Sequence, residues 1–204
     1  MDEVSDCIGF LEQQSFALPL VHIIDREGDS IGHIRRWEAT ESYWLVRVKD
    51  NPKVDYNGKP MACKAVAQEL AFIKTRPVNY HGKTYWQWVA ETKVTLTRPA
   101  KPSQKKSKKP AVPGKPVAAR LFVSRVLFEA GEVLAEWLLL TNVKDVDAAT
   151  IALWYYWRWQ IECFFKLVKS AGHQLESWQQ ESALAIAKRL LVASMACEIG
   201  RAHV

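Results

Sequence analysis

The sequence of 204 residues predicts an α/β fold with a strand-rich middle. Three observations predict it. Short apolar runs end abruptly in polar turns, as in residues 18–24 (LPLVHII) before DREGDS, which is how a buried strand runs into a loop. Two long central stretches, 84–97 and 118–128, alternate in side-chain character with the period of strands. Residues 62–74 repeat apolar residues every three or four positions, the helical period. A composition of 49% apolar and 25% charged residues suits a chain that buries a real core, and it excludes wholesale disorder and collagen-like repeats.

Taken in order, residues 18–24 form a strand that leaves Asp25 at its end, and a helix starts over 30–37. Residues 43–49 (YWLVRVK) form a strand, and 62–74 (ACKAVAQELAFIK) a helix. The strands 84–97 and 118–128 flank a segment containing Pro99, Pro102, Pro110, Pro113 and Pro116. Missing amide donors and fixed backbone angles there oppose both helix and ladder, so an exposed, mobile loop is expected. Residues 137–141 (WLLLT) form a further buried strand. Asp147 is placed to N-cap a long helix that runs to about Ser170 and stops at Gly172, and a second helix covers 181–196.

The net charge of +6 and nine tryptophans first suggest an anionic partner. The charge is local, however: residues 98–120 hold eight basic residues and no acid, leaving 20 basic against 22 acidic elsewhere. That lysine run reads either as a phosphate-tracking arm or as a solubilising loop. Cys7, Cys63, Cys163 and Cys197 are too scattered for a zinc site or a disulfide framework, so reduced intracellular thiols are expected. No run of 18 apolar residues and no basic leader precedes the first strand, which points to a cytoplasmic protein without a membrane span.

The long helix carries Tyr155, Arg158, Glu162 and Lys169. At about 100° per residue all four fall within one stripe of about 60°. A carboxylate between two cations suits a place where a divalent metal meets phosphate: the acid ligates the ion, Arg grips oxygens by its planar fork, and Lys acts as a point charge. The same spacing equally suits a solvated face with an ordinary Arg158–Glu162 pair. Asp25, Glu27 and Asp29 do not make a calcium loop, because Gly28 comes too early and no distal Glu follows. Arg26 and Glu27 read as loop residues, His22 as a core histidine, and His173 as a DNA contact or helix cap.

The pattern Tyr155, Arg158, Glu162, Lys169, set in YYWRWQIECFFKLVKSAG, resembles the Tyr-Arg-Glu-Lys signature of bacterial insertion-sequence transposases of the insertion-sequence-four family. VHIIDREGD resembles the block that holds the family's second catalytic Asp, here Asp25. AEWLLLTN resembles the strand returning from the family's inserted β-subdomain. The resemblance implies a ribonuclease H-like core interrupted by a β-rich insertion, and cut-and-paste transposition of double-stranded DNA. In that chemistry acids hold two Mg²⁺ or Mn²⁺ ions for in-line attack on a phosphodiester. It further implies that Asp25 and Glu162 are metal ligands and that Tyr155, Arg158 and Lys169 contact DNA. Trp137 and Trp159 become platforms for an extruded base.

The implied layout is a part of the core over 1–40, the insertion over 41–136 with its Lys/Pro-rich loop 98–118, and the returning core over 137–197. Residues 198–204 (EIGRAHV) are expected to be a non-native tail that breaks the last helix at Gly200. The family's first Asp has no counterpart: only 24 residues precede Asp25, and Asp2 and Asp6 lie in no recognisable strand. The chain is therefore expected to be an internal fragment, prone to aggregate through exposed sheet edges and inactive alone, whereas the full-length parent acts as a homodimer on nucleoid DNA. The rival expectations are a non-catalytic DNA-binding remnant and a nuclease with an unconventional first acid.

Overall fold

A computed structural model describes residues 2–80, 82–101, 110–128, 131–168 and 182–202. The described residues form fourteen elements, eight of them the strands of one mixed sheet. The helix α1 (Asp2–Glu12) leads to β1 (Val21–Ile24), a 3-10 turn (Arg26–Gly28), α2 (Ile31–Ala39) and β2 (Tyr43–Arg47). Next come β3 (Lys53–Tyr56), β4 (Lys59–Ala62), α3 (Cys63–Glu69), β5 (Ile73–Tyr80) and β6 (Lys83–Leu96). The series ends with β7 (Val117–Leu127), β8 (Val133–Thr141), α4 (Ala148–Val168) and α5 (Ala183–Ala202). Residues 1–155 and 156–204 form two compact units.

In the first unit the strand order is β1-β2-β8-β7-β6-β3-β4, with β5 paired to β6. Among the described residues only β1 and β2 run parallel, joined by α2, and β1 is an edge strand. One face of the sheet buries Trp44, Val46, Leu121, Val123, Leu138 and Leu140 against Ile34 and Trp37 of α2 and against Cys63 and Val66 of α3. The other face carries Leu45, Phe122, Ser124, Trp137, Leu139 and Thr141. The first two turns of α4 lie there, with Ile151 and Tyr155 buried. The strands expected over 43–49, 84–97, 118–128 and 137–141 are present within a few residues of those bounds.

Asn142, the last residue of AEWLLLTN, ties the end of β8 to α2 and to the start of β2. Its Oδ1 accepts from the Trp44 amide at 3.0 Å, and its Nδ2 donates to Glu38 Oε1 at 2.8 Å and to the Ser42 carbonyl at 2.9 Å. Arg120 then holds the segment that follows. Its Nη1 donates to the carbonyls of Val143, Lys144 and Val146 at 3.1, 2.9 and 2.8 Å, while Nε and Nη2 meet Glu91. Asp147 caps α4 as expected, accepting from the Thr150 amide at 2.9 Å and the Thr150 hydroxyl at 2.6 Å. These bonds to the charged form hold its carboxyl below the usual range.

Four expectations need correction. The helix expected over 62–74 ends at Glu69: Leu70 is already extended, and residues from Ile73 onward pair with β6, an arrangement that Pro77 favours because it cannot sit inside a helix. The hairpin β3–β4 was not expected, although Asn57 and Gly58, both at positive φ (52° and 75°), make its two-residue turn, and Asn-Gly is the sequence mark of such a turn. The Pro-rich loop does support a ladder at its base: Ala100 and Val112 exchange two hydrogen bonds of 2.8 Å. Arg35 clamps the same base through the carbonyls of Arg98, Gly114 and Lys115. Residues 102–109, with Lys105, Lys106, Lys108 and Lys109, lie outside the described residues. Finally, α5 continues through Gly200, because one glycine costs a helix only about 1 kcal/mol.

In the second unit, Tyr156 and the rest of α4 are followed by α5, which starts where Ser182 Oγ accepts from the Ala185 amide at 3.2 Å. Among the described residues no helix is long and apolar enough to cross a membrane.

Candidate active site

Asp25 sits where β1 ends, and its place follows from the local chain. It caps the 3-10 turn: its Oδ1 accepts from the Arg26 amide at 2.7 Å and its carbonyl from the Gly28 amide at 2.8 Å. The turn folds back so tightly that a Cβ on Gly28 would lie 2.4 Å from Ile24 Cγ2. Only glycine allows that approach. The carboxylate is thereby held at the strand end with about a third of its side-chain surface (32%) open to solvent.

Two further groups face it. The Tyr155 hydroxyl donates to Asp25 Oδ1 at 3.1 Å, and Arg47 Nη1 lies 3.6 Å from the same oxygen. Arg47 was not singled out from the sequence. The signal for it is the parallel register, in which Ile24 faces Val46, so that the residues just beyond, 25 and 47, become neighbours. Tyr155 is buried and packs its ring on Trp137 at 6.3 Å, and Trp137 in turn meets Tyr80 at 6.5 Å. Trp137 is 8% exposed, so it forms a wall between two tyrosines in this conformation.

Asp29, four residues on, serves a different purpose. Its carboxylate is almost fully buried, pairs with Arg98 and accepts from the Lys49 amide at 3.2 Å. It ties the loop after β1 to β2 and to the base of the Pro-rich loop. Cys63 lies near this pair, and burial pushes its thiol up to about 12. Arg26 and Glu27 are exposed, as loop residues should be. His22 Nε2 lies 2.8 Å from Glu12 Oε1, which makes it a half-buried histidine with a carboxylate partner.

Of the signature helix, Arg158 and Glu162 belong to the second unit, where Arg158 Nη1 donates to Glu162 Oε1 at 2.8 Å. This is the i,i+4 pair that the spacing allows, and half of the Glu162 side chain (50%) remains exposed. Lys169 and His173 lie outside the described residues, as do the side chains of Trp159, Cys163 and Cys197. Cys7 and Cys63 are free thiols. Among the described residues no group of three His, Cys, Asp or Glu side chains is close enough together to hold a metal.

The arrangement in the first unit is thus a strand-end carboxylate held by a glycine turn, with a phenol and a guanidinium aimed at one of its oxygens. A hard carboxylate oxygen suits a divalent cation, and the two donors fix its orientation. A search among curated proteins returns no match. The model of the family described as "Transposase DDE domain" matches residues 9–196, nearly the whole chain. The α/β sheet is accordingly that of a ribonuclease H-like domain, and the chain belongs to the DDE transposase family, which acts on DNA and generally uses divalent metals.

Proposed function

We propose that the chain carries the second and third acids, Asp25 and Glu162, of a cut-and-paste transposase of the insertion-sequence-four branch. The observation that carries this reading is the hydrogen bond from Tyr155, the first residue of the signature, to Asp25 Oδ1 at 3.1 Å. It links two motifs that lie 130 positions apart in a chain of the family. A solvated face of α4 would have no reason to send a buried tyrosine to a strand-end acid.

The donor set fits Mg²⁺ or Mn²⁺, since Asp25 and Glu162 offer only oxygen. When bound, such ions activate the attacking hydroxyl and stabilise the leaving oxygen of a DNA phosphodiester. The chain's own residues do the positioning. Tyr155 and Arg47 fix the orientation of the Asp25 carboxylate, Arg158 keeps Glu162 extended, and Arg158 with Lys169 neutralises phosphate oxygens. Trp137 and Trp159 supply aromatic surface beside the reacting strand. A third carboxylate is required for turnover, and we propose that residues 1–204 alone do not cleave DNA.

Electron paramagnetic resonance of Mn²⁺ added to the 204-residue protein tests the metal assignment. Bound Mn²⁺ that is released by Asp25→Ala and also by Glu162→Ala is the expected result. Retention in the Asp25 variant would overturn Asp25 as a ligand, and retention in the Glu162 variant would overturn Glu162 as one. Nicking of DNA by the purified chain with Mg²⁺, abolished by Glu162→Ala, would overturn the proposed inactivity.

A further inference from the structure

The sheet face that bears Tyr155 continues to the β5–β6 hairpin. Ser124 stands opposite Trp137, and its hydroxyl accepts from Gln87 Nε2 at 3.0 Å. Gln87 and its β5 partner Arg76 therefore share the face of Trp137. The bulge between Lys74 and Arg76 leaves Arg76, Val78 and Tyr80 on that side, and Lys83 stands opposite Tyr80. Starting at the Asp25 carboxylate, the row is Tyr155, Trp137 and Tyr80, and it ends between two cations, Arg76 and Lys83.

Neither cation has a carboxylate partner among the described residues. Arg76 is half-buried, with its Nε sealed from water and without an acceptor, and Lys83 is exposed. The arginines of β7 differ, since Arg120 pairs with Glu91 and Arg125 with Glu136. Residues 70–90 hold three Lys or Arg and no acid at all, a second basic segment that bulk charge counting hides. A sealed Nε–H without an acceptor is destabilising, and the two Nη groups, with no carboxylate partner among the described residues, are left for a ligand. An anion with several oxygens at regular intervals along a chain would satisfy both cations, and a DNA backbone is such an anion.

Building on the reading that Asp25 acts at a DNA phosphate, we propose that the β5–β6 hairpin is an arm that holds the backbone of the DNA leading away from that phosphate. Arg76 grips one phosphate through its fork, and Lys83 meets another as a point charge. Trp137 and Tyr80 form the apolar floor between the arm and Asp25. Lys74 belongs to the opposite face, where its Nζ lies 3.7 Å from the Trp86 ring centre, and it takes no part.

Fluorescence anisotropy of a labelled mixed-sequence duplex, titrated with the 204-residue protein over a range of salt, tests the arm. Each phosphate contact contributes about 0.9 to the slope of log affinity against log salt, so Arg76→Gln/Lys83→Gln should flatten the slope by about 1.8. Lys74→Gln should leave it unchanged. Lys83→Gln alone, at an exposed position that folding does not need, should flatten it by about 0.9. A wild type that binds with strong salt dependence while the double variant keeps the same slope overturns the arm and leaves the proposed function standing. Equal losses from Lys74→Gln and Lys83→Gln also overturn it, because they indicate diffuse attraction. A wild type with no salt-dependent binding overturns the arm and the proposed function together.

Discussion

Arg120→Ala should destabilise the first unit through the segment that carries the chain into α4. Three carbonyls, of Val143, Lys144 and Val146, lose a charged donor at 3.1, 2.9 and 2.8 Å. A hydrogen bond to a charged group contributes about 1.5–3 kcal/mol, but the exposed Lys144 carbonyl regains water in the variant. The Glu91 pair adds at most about 1 kcal/mol, since that carboxylate is 40% exposed. Two carbonyls at somewhat under the full value give a loss of about 2–4 kcal/mol. Urea unfolding followed by tryptophan fluorescence should therefore show a midpoint lower by about 1–2 M, taking a slope of about 2 kcal/mol per M. Arg120→Met keeps the stem over the Phe122 ring, where the guanidinium carbon now lies 4.6 Å from the centre, and should lose nearly as much as alanine. A midpoint that moves by less than about 0.3 M in both variants would refute the assignment of these bonds as the anchor of α4.

Gly28→Ala should displace the turn after Asp25, because the new methyl meets Ile24 Cγ2 at 2.4 Å; a loss of about 1–3 kcal/mol in thermal or urea unfolding is expected, and an unchanged stability would show that the turn relaxes freely. Arg98→Met strands the Asp29 carboxylate, only 2% exposed, and should cost about 3–5 kcal/mol, whereas adding Asp29→Asn should recover much of it; a double variant no better than the single would contradict a buried pair. Iodoacetamide near pH 8 should label Cys7 in the native protein and spare Cys63 until denaturant is added, as read by peptide mass spectrometry. The Cys63 thiol is raised in the folded state, so its contribution to stability is complete below the ordinary thiol pKa and is lost as pH rises from there toward about 12. Unfolding measured across that alkaline range in wild type and Cys63→Ala should converge, and a wild-type advantage that grows with pH would reverse the sign.

The parts of the fold that the sequence made legible are those governed by local period. The strands β6, β7 and β8 alternate or run apolar over nine residues or more, and α4 announces its start through Asp147 and Thr150. Elements decided by partners far along the chain were harder to see. Residues 70–74 carry helical spacing, yet the hydrogen bonds available along β6 win, and only Pro77 hinted at it. Arg47 at the site, Asn142 at the junction and the Asp29–Arg98 pair depend on contacts across 20 to 100 positions, which no window of sequence contains. The site divides along the same line. Asp25 and Tyr155 were marked by motif and spacing, but the reason Tyr155 is tyrosine appears only when β1 brings Asp25 to the first turns of α4. A helix face read alone treats Tyr155, Arg158 and Glu162 as equals. In the folded first unit Tyr155 is buried against Trp137 and donates to Asp25, while in the second unit Arg158 is half-buried and paired with the half-exposed Glu162. The stripe therefore divides in two: a buried tyrosine bonded to an acid of the first unit, then an Arg158–Glu162 pair in the second. Tyr155→Phe should accordingly weaken Mn²⁺ retention at Asp25 without altering the salt slope of DNA binding, whereas loss of Arg158 should flatten that slope by about 0.9. Equal effects of the two substitutions on both readouts would return the stripe to a single undivided face.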